Sequence, residues 1–170
     1  MNPEIKNTFL IGGGGFAYPK FYVHTYENAE ITVSEINTDV ISVAFQYFGL
    51  HDLSEDETKR MHIVNEDGID FLRESNKKFD LIINDAFTGK KEQRRDEESI
   101  QIIHDALHEK GIYIVNVPTA LSGPFAKKGN AFRKLLQNHF KHTVLLATQE
   151  EKQPFEKQNV LMISSDSELL

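Results

Sequence analysis

An apolar segment that runs straight into four consecutive glycines restricts this chain more than any other feature. Phe9-Leu10-Ile11 is followed by Gly12-Gly13-Gly14-Gly15. Glycine has no Cβ, so a main chain built from it can turn sharply and lie close against a ligand. Between a strand and a helix, such a turn opens onto the crevice at the carboxyl ends of the strands in a doubly wound α/β sheet. A tight turn without a ligand has the same composition, so the residues beyond it must decide between the two.

Beyond the turn, strands and helices alternate. Strands are expected at residues 8–11, 31–35, 61–64, 79–84 and 112–117, each a short apolar or β-branched run. The run at 79–84 is nearly continuous, as in a central strand buried on both faces. Helices are expected from about Pro19, from Asn37 as cap through about Phe48, over 67–74, over 97–109 and over 124–140. Val40, Val43, Ala44 and Tyr47 keep helical spacing, as do Ile100, Ile103 and Leu107, with Gly111 placed as a C-terminal cap. Residues 51–60 read as a polar loop and 88–96 as a charged irregular segment. The last two strands, 143–148 and 159–164, have no helix between them and form an antiparallel hairpin. The fold class is α/β: a Rossmann-like three-layer sandwich with a mainly parallel sheet that ends in a hairpin. A chain of 170 residues suits one domain, here 1–170.

Composition narrows the function classes. The chain has no cysteine, which removes disulfides, thiolate metal sites and a cysteine nucleophile. A net charge of −7 argues against a broad nucleic-acid surface, so no nucleic-acid partner is expected. The polar first eight residues are not a signal peptide. No run reaches the roughly 20 apolar residues of a membrane helix, and cytoplasm is the expected location.

Four places carry chemistry. The first is the glycine turn. The second is Glu35, 21 residues after Gly14 at a strand end, where a carboxylate can accept both hydroxyls of a ribose. The third is Glu66-Asp67-Gly68 after the third strand. An acid there can accept from the exocyclic amine of adenine, while Asp67 as a plain helix cap is the competing reading. The fourth is Asn84-Asp85-Ala86-Phe87 past the central strand. Asp85 there can hold an amine or act as a general base, or it can be a loop residue. Tyr18 and Phe16 can line the pocket or pack in the core. Lys90, Lys91, Arg94 and Arg95 form a basic run that suits either an anionic substrate or solvent. His104 and His108 lie four apart on an expected helix with no third ligand, so no metal is expected.

In order and spacing, these blocks resemble the spermidine synthase-like branch of the class I S-adenosylmethionine-dependent methyltransferase superfamily. The resemblance rests on Phe9 to Lys20, on Val33-Ser34-Glu35-Ile36-Asn37, on Asn65 to Leu72, on Phe79 to Phe87, and on Gly111 to Val117. It implies a seven-stranded sheet of order 3-2-1-4-5-7-6. It implies S-adenosylmethionine or decarboxylated S-adenosylmethionine as co-substrate. The pocket it implies is built from Gly12, Gly14, Gly15, Glu35, Ile36, Asp67, Gly68, Asp85 and Ala86, with Asp85 as the catalytic group. The implied partner is a small amine of the polyamine type, with a homodimer left open. In spermidine synthases proper, an aspartate of the glycine motif helps hold the donor's amine, and Gly15 stands at that place. The aspartate-rich segment after the fourth strand is reduced to Asp85. The small N-terminal β-domain of those enzymes is missing from the expected layout, so the chain reads as the synthase-like domain without it and leaves open a longer parent protein.

Three readings compete. One is a transferase that moves an aminopropyl or a methyl group, with a methyltransferase proper as the nearest rival. A second is a nucleoside-binding module without chemistry. A third is a nicotinamide-dependent oxidoreductase, because Gly12-x-Gly14-x-x-Ala17 also fits the dinucleotide pattern. The terminal hairpin and Asp67-Gly68 argue against the third.

Overall fold

The computed structural model describes residues 5–86 and 95–169. Seven strands form one sheet: β1 (Asn7–Ile11), β2 (Glu30–Ser34), β3 (Met61–Val64), β4 (Phe79–Asn84), β5 (Leu107–Thr119), β6 (His142–Ala147) and β7 (Gln158–Ser165). Their order is β3-β2-β1-β4-β5-β7-β6, as the resemblance implied. Strands β1 to β5 pair in parallel, and β7 runs antiparallel to both β5 and β6. The helices are α1 (Ala17–Thr25), α2 (Thr38–Tyr47), α3 (Glu55–Arg60), α4 (Gly68–Glu74), α5 (Glu97–Asp105) and α6 (Lys127–His139).

Alternation along β1 sends its residues to two cores. Phe9 and Ile11 join Ile69 and Leu72 of α4, Ile100 and Ile103 of α5, and Leu136 of α6 on one face. Leu10 joins Tyr22 and Val23 of α1, Ala44 of α2, and Ile31 and Val33 of β2 on the other. Each layer is therefore sealed by side chains that the two-residue period of one strand supplies.

Several expected boundaries move, each for a physical reason. Helix α1 starts at Ala17 rather than Pro19, with Phe16 as its N-cap in the left-handed region at φ 55. Pro19 falls in the first turn, where its missing N–H has no intrahelical acceptor to lose. Segment 51–60 is not all loop: α3 forms there on a capping box between Ser54 and Glu57. Its surface is polar throughout, so no apolar period announces it. Helix α5 stops at Asp105, and Leu107 already belongs to β5, opposite Phe79 of β4. Leu107 is buried as a strand residue, which imitates the helical spacing from Ile103. Gly111 accordingly lies inside β5 and caps no helix.

The two halves of the sheet are covered differently. Helices α5 and α6 pack on the side of the sheet that carries Tyr113 and Val115 of β5 and Met162 of β7. On the opposite side Ile83, Ile114, Leu161 and Ile163 are only half-buried, and Val144 and Leu146 are exposed.

Candidate functional site

The carboxyl ends of the parallel strands meet at a cavity of about 920 Å³, whose rim is the glycine turn. Two glycines of the turn have positive φ, Gly12 at 97° and Gly14 at 51°. A Cβ on Gly12 would sit 2.9 Å from the Cα of Ala86, so the turn crosses the post-β4 segment at main-chain distance. A Cβ on Gly14 would meet nothing within 4 Å, which leaves this stretch of main chain open to a ligand. The buried ring of Phe16 folds back under Gly13 and does not line the cavity, whereas Tyr18 does. Burial pushes the Tyr18 phenol up to about 12, so it stays neutral.

Glu35 follows β2 and points into the turn. Its Oε2 accepts from the amides of Gly13 (3.0 Å) and Gly14 (3.3 Å), and its Oε1 accepts from Asn37 (2.9 Å). The carboxylate therefore shapes the glycine turn as well as lining the cavity. Its own main chain is held in turn, since the Glu35 carbonyl accepts from Asn65 Nδ2 at 2.7 Å. Thr38 then donates to Asn65 Oδ1 at 2.7 Å.

Asp67, Gly68 and Ala86 line a smaller neighbouring hollow of about 90 Å³, which shares Gly12, Glu35 and Ile36 with the main cavity. Asp67 caps α4, its Oδ1 accepting from Ile69 (2.9 Å) and Asp70 (3.3 Å). A Cβ on Gly68 would come within 2.8 Å of Ile11, so this glycine is needed for the helix to approach the strand. Ser34 donates to the Glu66 carbonyl at 2.7 Å and ties the β2 and β3 ends together.

Asp85 stands at the other side of the cavity. Its amide donates to the Ile11 carbonyl at 3.0 Å, and its Oδ1 accepts from Asn116 Nδ2 at 3.0 Å. The carboxylate sets the orientation of that amide, because the reverse would place two acceptors face to face. Arg95 donates to the Asn116 carbonyl at 3.0 Å and lies over the Phe132 ring, 5.3 Å from its centroid. Burial lowers the Arg95 pKa from its usual value. Beneath Asp85, Asn84 donates to the Tyr113 hydroxyl at 3.3 Å. Complete burial pushes that phenol up to about 12.

The structure thus brings Gly12, Gly14, Gly15, Glu35, Ile36 and Asp85 to one cavity, with Asp67, Gly68 and Ala86 beside it. Phe87, Lys90, Lys91 and Arg94 lie outside the described residues. The histidine pair does not share a helix: His104 is in the last turn of α5 and bonds Asp166 at 2.9 Å, while His108 is in β5. Among the described residues there is no group of three or more side chains placed to hold a metal ion. Sequence reasoning missed Asn65 and Asn116. Asn116 left a usable signal as the polar residue in the run 112–117, at the ligand-facing end of a parallel strand.

Residues 1–121 match the family described as the spermine/spermidine synthase domain. The polyamine aminopropyltransferase of Lachnospira eligens is 35% identical over 117 residues, 67% of this chain and 40% of that protein. That of Alkaliphilus metalliredigens is 31% identical over 130 residues, 75% of this chain and 45% of its own. The chain spans less than half the length of these curated relatives. A probable spermidine synthase from Corynebacterium glutamicum superposes with a TM-score of 0.83 at 17% identity, over 100% of this chain and 59% of that one. A spermidine synthase in complex with the transition-state analogue AdoDATO gives 0.77 at 22% identity, over 97% and 56%. Human methyltransferase-like protein 13 in complex with SAH gives 0.76 at 20% identity, over 97% and 76%. At these identities the superpositions show the fold.

Proposed function

This chain belongs to the spermine/spermidine synthase family, and on that premise we propose that it binds S-adenosylmethionine or its decarboxylated form and transfers an aminopropyl group to a small amine. The observation that carries the reading is the convergence of the glycine turn, Glu35 and Asp85 on one cavity. The names of the curated relatives, polyamine aminopropyltransferases, support aminopropyl transfer.

The residues fit a nucleoside donor. The open main chain at Gly14 and the close crossing at Gly12 form a cradle that a side chain would fill or block. Glu35 Oε1 and Oε2 together carry about four lone-pair directions, and the loop amides use three. Ribose hydroxyls therefore share the carboxylate with the loop or displace one of its amides. Asp67 and Gly68 sit where an adenine edge would reach, and Ile36 offers it an apolar contact.

The donor supplies a sulfonium, a positively charged leaving group already bonded to the carbon that is transferred. The acceptor's lone pair forms the new C–N bond as the C–S bond breaks, and the sulfur keeps that electron pair. Asp85 receives the proton released from the amine, directly or through water. Asn116 keeps the carboxylate aimed. Alignment supplies the rest of the rate, because the leaving group needs no further activation. We further propose that residues 1–170 form one such domain.

Gly15 favours a second reading, methyl transfer from intact S-adenosylmethionine. No acid stands in the glycine turn to select a donor tail that lacks a carboxylate. Calorimetric titration with S-adenosylmethionine, its decarboxylated form and methylthioadenosine separates the two. Tighter binding of the decarboxylated donor is expected. Preference for the intact donor moves the assignment to methyl transfer, and no binding of any of the three overturns the nucleoside site.

A further inference from the structure

The helix that flanks the glycine turn presents an apolar face to solvent. Helix α2 carries one charged residue, Asp39, whereas five of the six residues of α3 are charged. A helix at the protein surface normally carries charge on its outer side. In α2, Ala44 is buried, but Val43 is 43% exposed, Tyr47 71% and its C-cap Phe48 51%. Val40, Val43 and Tyr47 recur at helical spacing and form one stripe. Val40, Val43 and Phe48 line, with Asp39, an open hollow of about 250 Å³ against Gly14 and Gly15.

The two ends of this stripe carry opposite charge. Asp39 lies in the first turn of α2, and the Lys20 ammonium bonds the Phe48 carbonyl at the other end. About 13 Å of helix separates the ends. Such a surface is complementary to itself when turned about a two-fold axis. With the axis beside Val43, an antiparallel α2 pair sets Val43 on the partner's Val43, Val40 on the partner's Tyr47, and Asp39 against the partner's Lys20. A parallel pair would oppose like charges at Asp39 and align the two helix dipoles, and both are unfavourable. An aromatic side chain carries about 150–250 Å², so the exposed parts of Tyr47, Phe48 and Val43 amount to about 300 Å² in each copy. That matches the largest patches of monomer surfaces, which are often functional. It is small for a permanent dimer, so the association is reversible.

We infer that two copies of this chain associate through α2, antiparallel about a two-fold axis, with each Asp39 paired to the partner's Lys20 and each Tyr47 covering the partner's hollow beside the glycine turn. The inference does not depend on the proposed chemistry. The test is sedimentation velocity over about 1–300 μM protein, at about 0.15 M salt, where repulsion between two acidic copies is screened. A reversible monomer–dimer equilibrium with a dissociation constant on the order of micromolar is expected. Val43→Gln and Tyr47→Gln keep the net charge and the helix propensity, and each should weaken the dimer at least tenfold. Asp39→Lys and Lys20→Glu should each weaken it by about fivefold, and the double variant should regain most of the loss. A monomer at every concentration gives the face to another occupant and overturns the inference. So does a dimer that neither glutamine variant weakens. A double charge variant no tighter than its parents overturns the antiparallel pairing. Tyr47→Gln decides by itself should Val43→Gln fail to fold, because the Tyr47 side chain is mostly exposed.

Discussion

The two sides of the cavity are built in different ways. On the side of β1, β2 and β3, side chains bond main chain at almost every step. Glu35 holds Gly13, Gly14 and Asn37, Asn65 holds Glu35, Asp67 holds the start of α4, and Ser34 holds Glu66. On the side of β4, β5 and β7, the bonds are chiefly between side chains, Asp85 with Asn116 and Asn84 with Tyr113, and Ile83, Ile114 and Leu161 line the cavity as an apolar strip. A densely bonded side presents fixed groups to a fixed ligand. A sparsely bonded, apolar side accommodates ligands that differ in shape, because burial is not directional. On the proposed function, the first side would hold the invariant nucleoside and the second a separately specified acceptor.

The sharpest way to break that comparison is Asp85→Asn. If Asp85 serves the acceptor alone, turnover should fall by about 10²–10⁴, the usual contribution of a positioned base. Methylthioadenosine affinity should stay within about twofold of the wild type, since a neutral amide can still bond Asn116. Steady-state rates and calorimetry read the two effects separately. An equal loss in both would place Asp85 on the nucleoside and merge the two sides.

Gly12→Ala tests the bonded side at its tightest point. The new Cβ would lie 2.9 Å from the Ala86 Cα at a φ of 97°. Strain of this kind costs about 1–3 kcal/mol before any clash is counted. Both the denaturation midpoint and nucleoside affinity should drop, and a protein of unchanged stability would mean that the crossing loops relax freely. Glu35→Ala is the milder probe. Loss of hydrogen bonds to a charged group should weaken methylthioadenosine by about 1–3 kcal/mol. Amide hydrogen exchange at Gly13 and Gly14 should also speed up, because both lose their acceptor. Unchanged affinity would put the ligand elsewhere.

The same contrast explains what could be read from the sequence. The glycine turn, Glu35 and Asp67 belong to local patterns in which residue type and spacing carry the geometry. The strands were legible as apolar runs and the terminal hairpin by the lack of a helix within it, whereas the sheet order came only with the family resemblance. The boundary of α5 was not legible, because Leu107 satisfies a helical period and is buried as a strand residue. Helix α3 hid behind a surface with no buried side chain, although Ser54 and Glu57 carry its capping signal. On the acceptor side, the link between Asp85 and Asn116 spans 31 residues and depends on the register of β4 against β5, which no local pattern encodes. The apolar strip was hidden for a related reason: an alternating strand shows which residues share a face but not whether a helix covers it.

Asn116→Ala carries the smallest expected effect and tests most directly whether the sparse side works as a unit. Asn116 Nδ2 is the donor that the structure gives to Asp85 Oδ1, and Arg95 fixes the main chain from which it reaches. Removing it leaves the carboxylate in place but free to rotate toward solvent. The cost should resemble one partly solvated hydrogen bond, about 1 kcal/mol or a fivefold loss in kcat/KM for the amine. Nucleoside affinity and thermal stability should be nearly unchanged, because the side-chain amide bonds Asp85 and no residue of the β1–β3 side. Asn116→Gln should recover less than a local repair would suggest, since the longer side chain must displace either Asp85 or the apolar strip to fit. A nucleoside affinity that falls together with kcat/KM in Asn116→Ala would show that the pair positions the donor as well, and the division between the two sides would not hold.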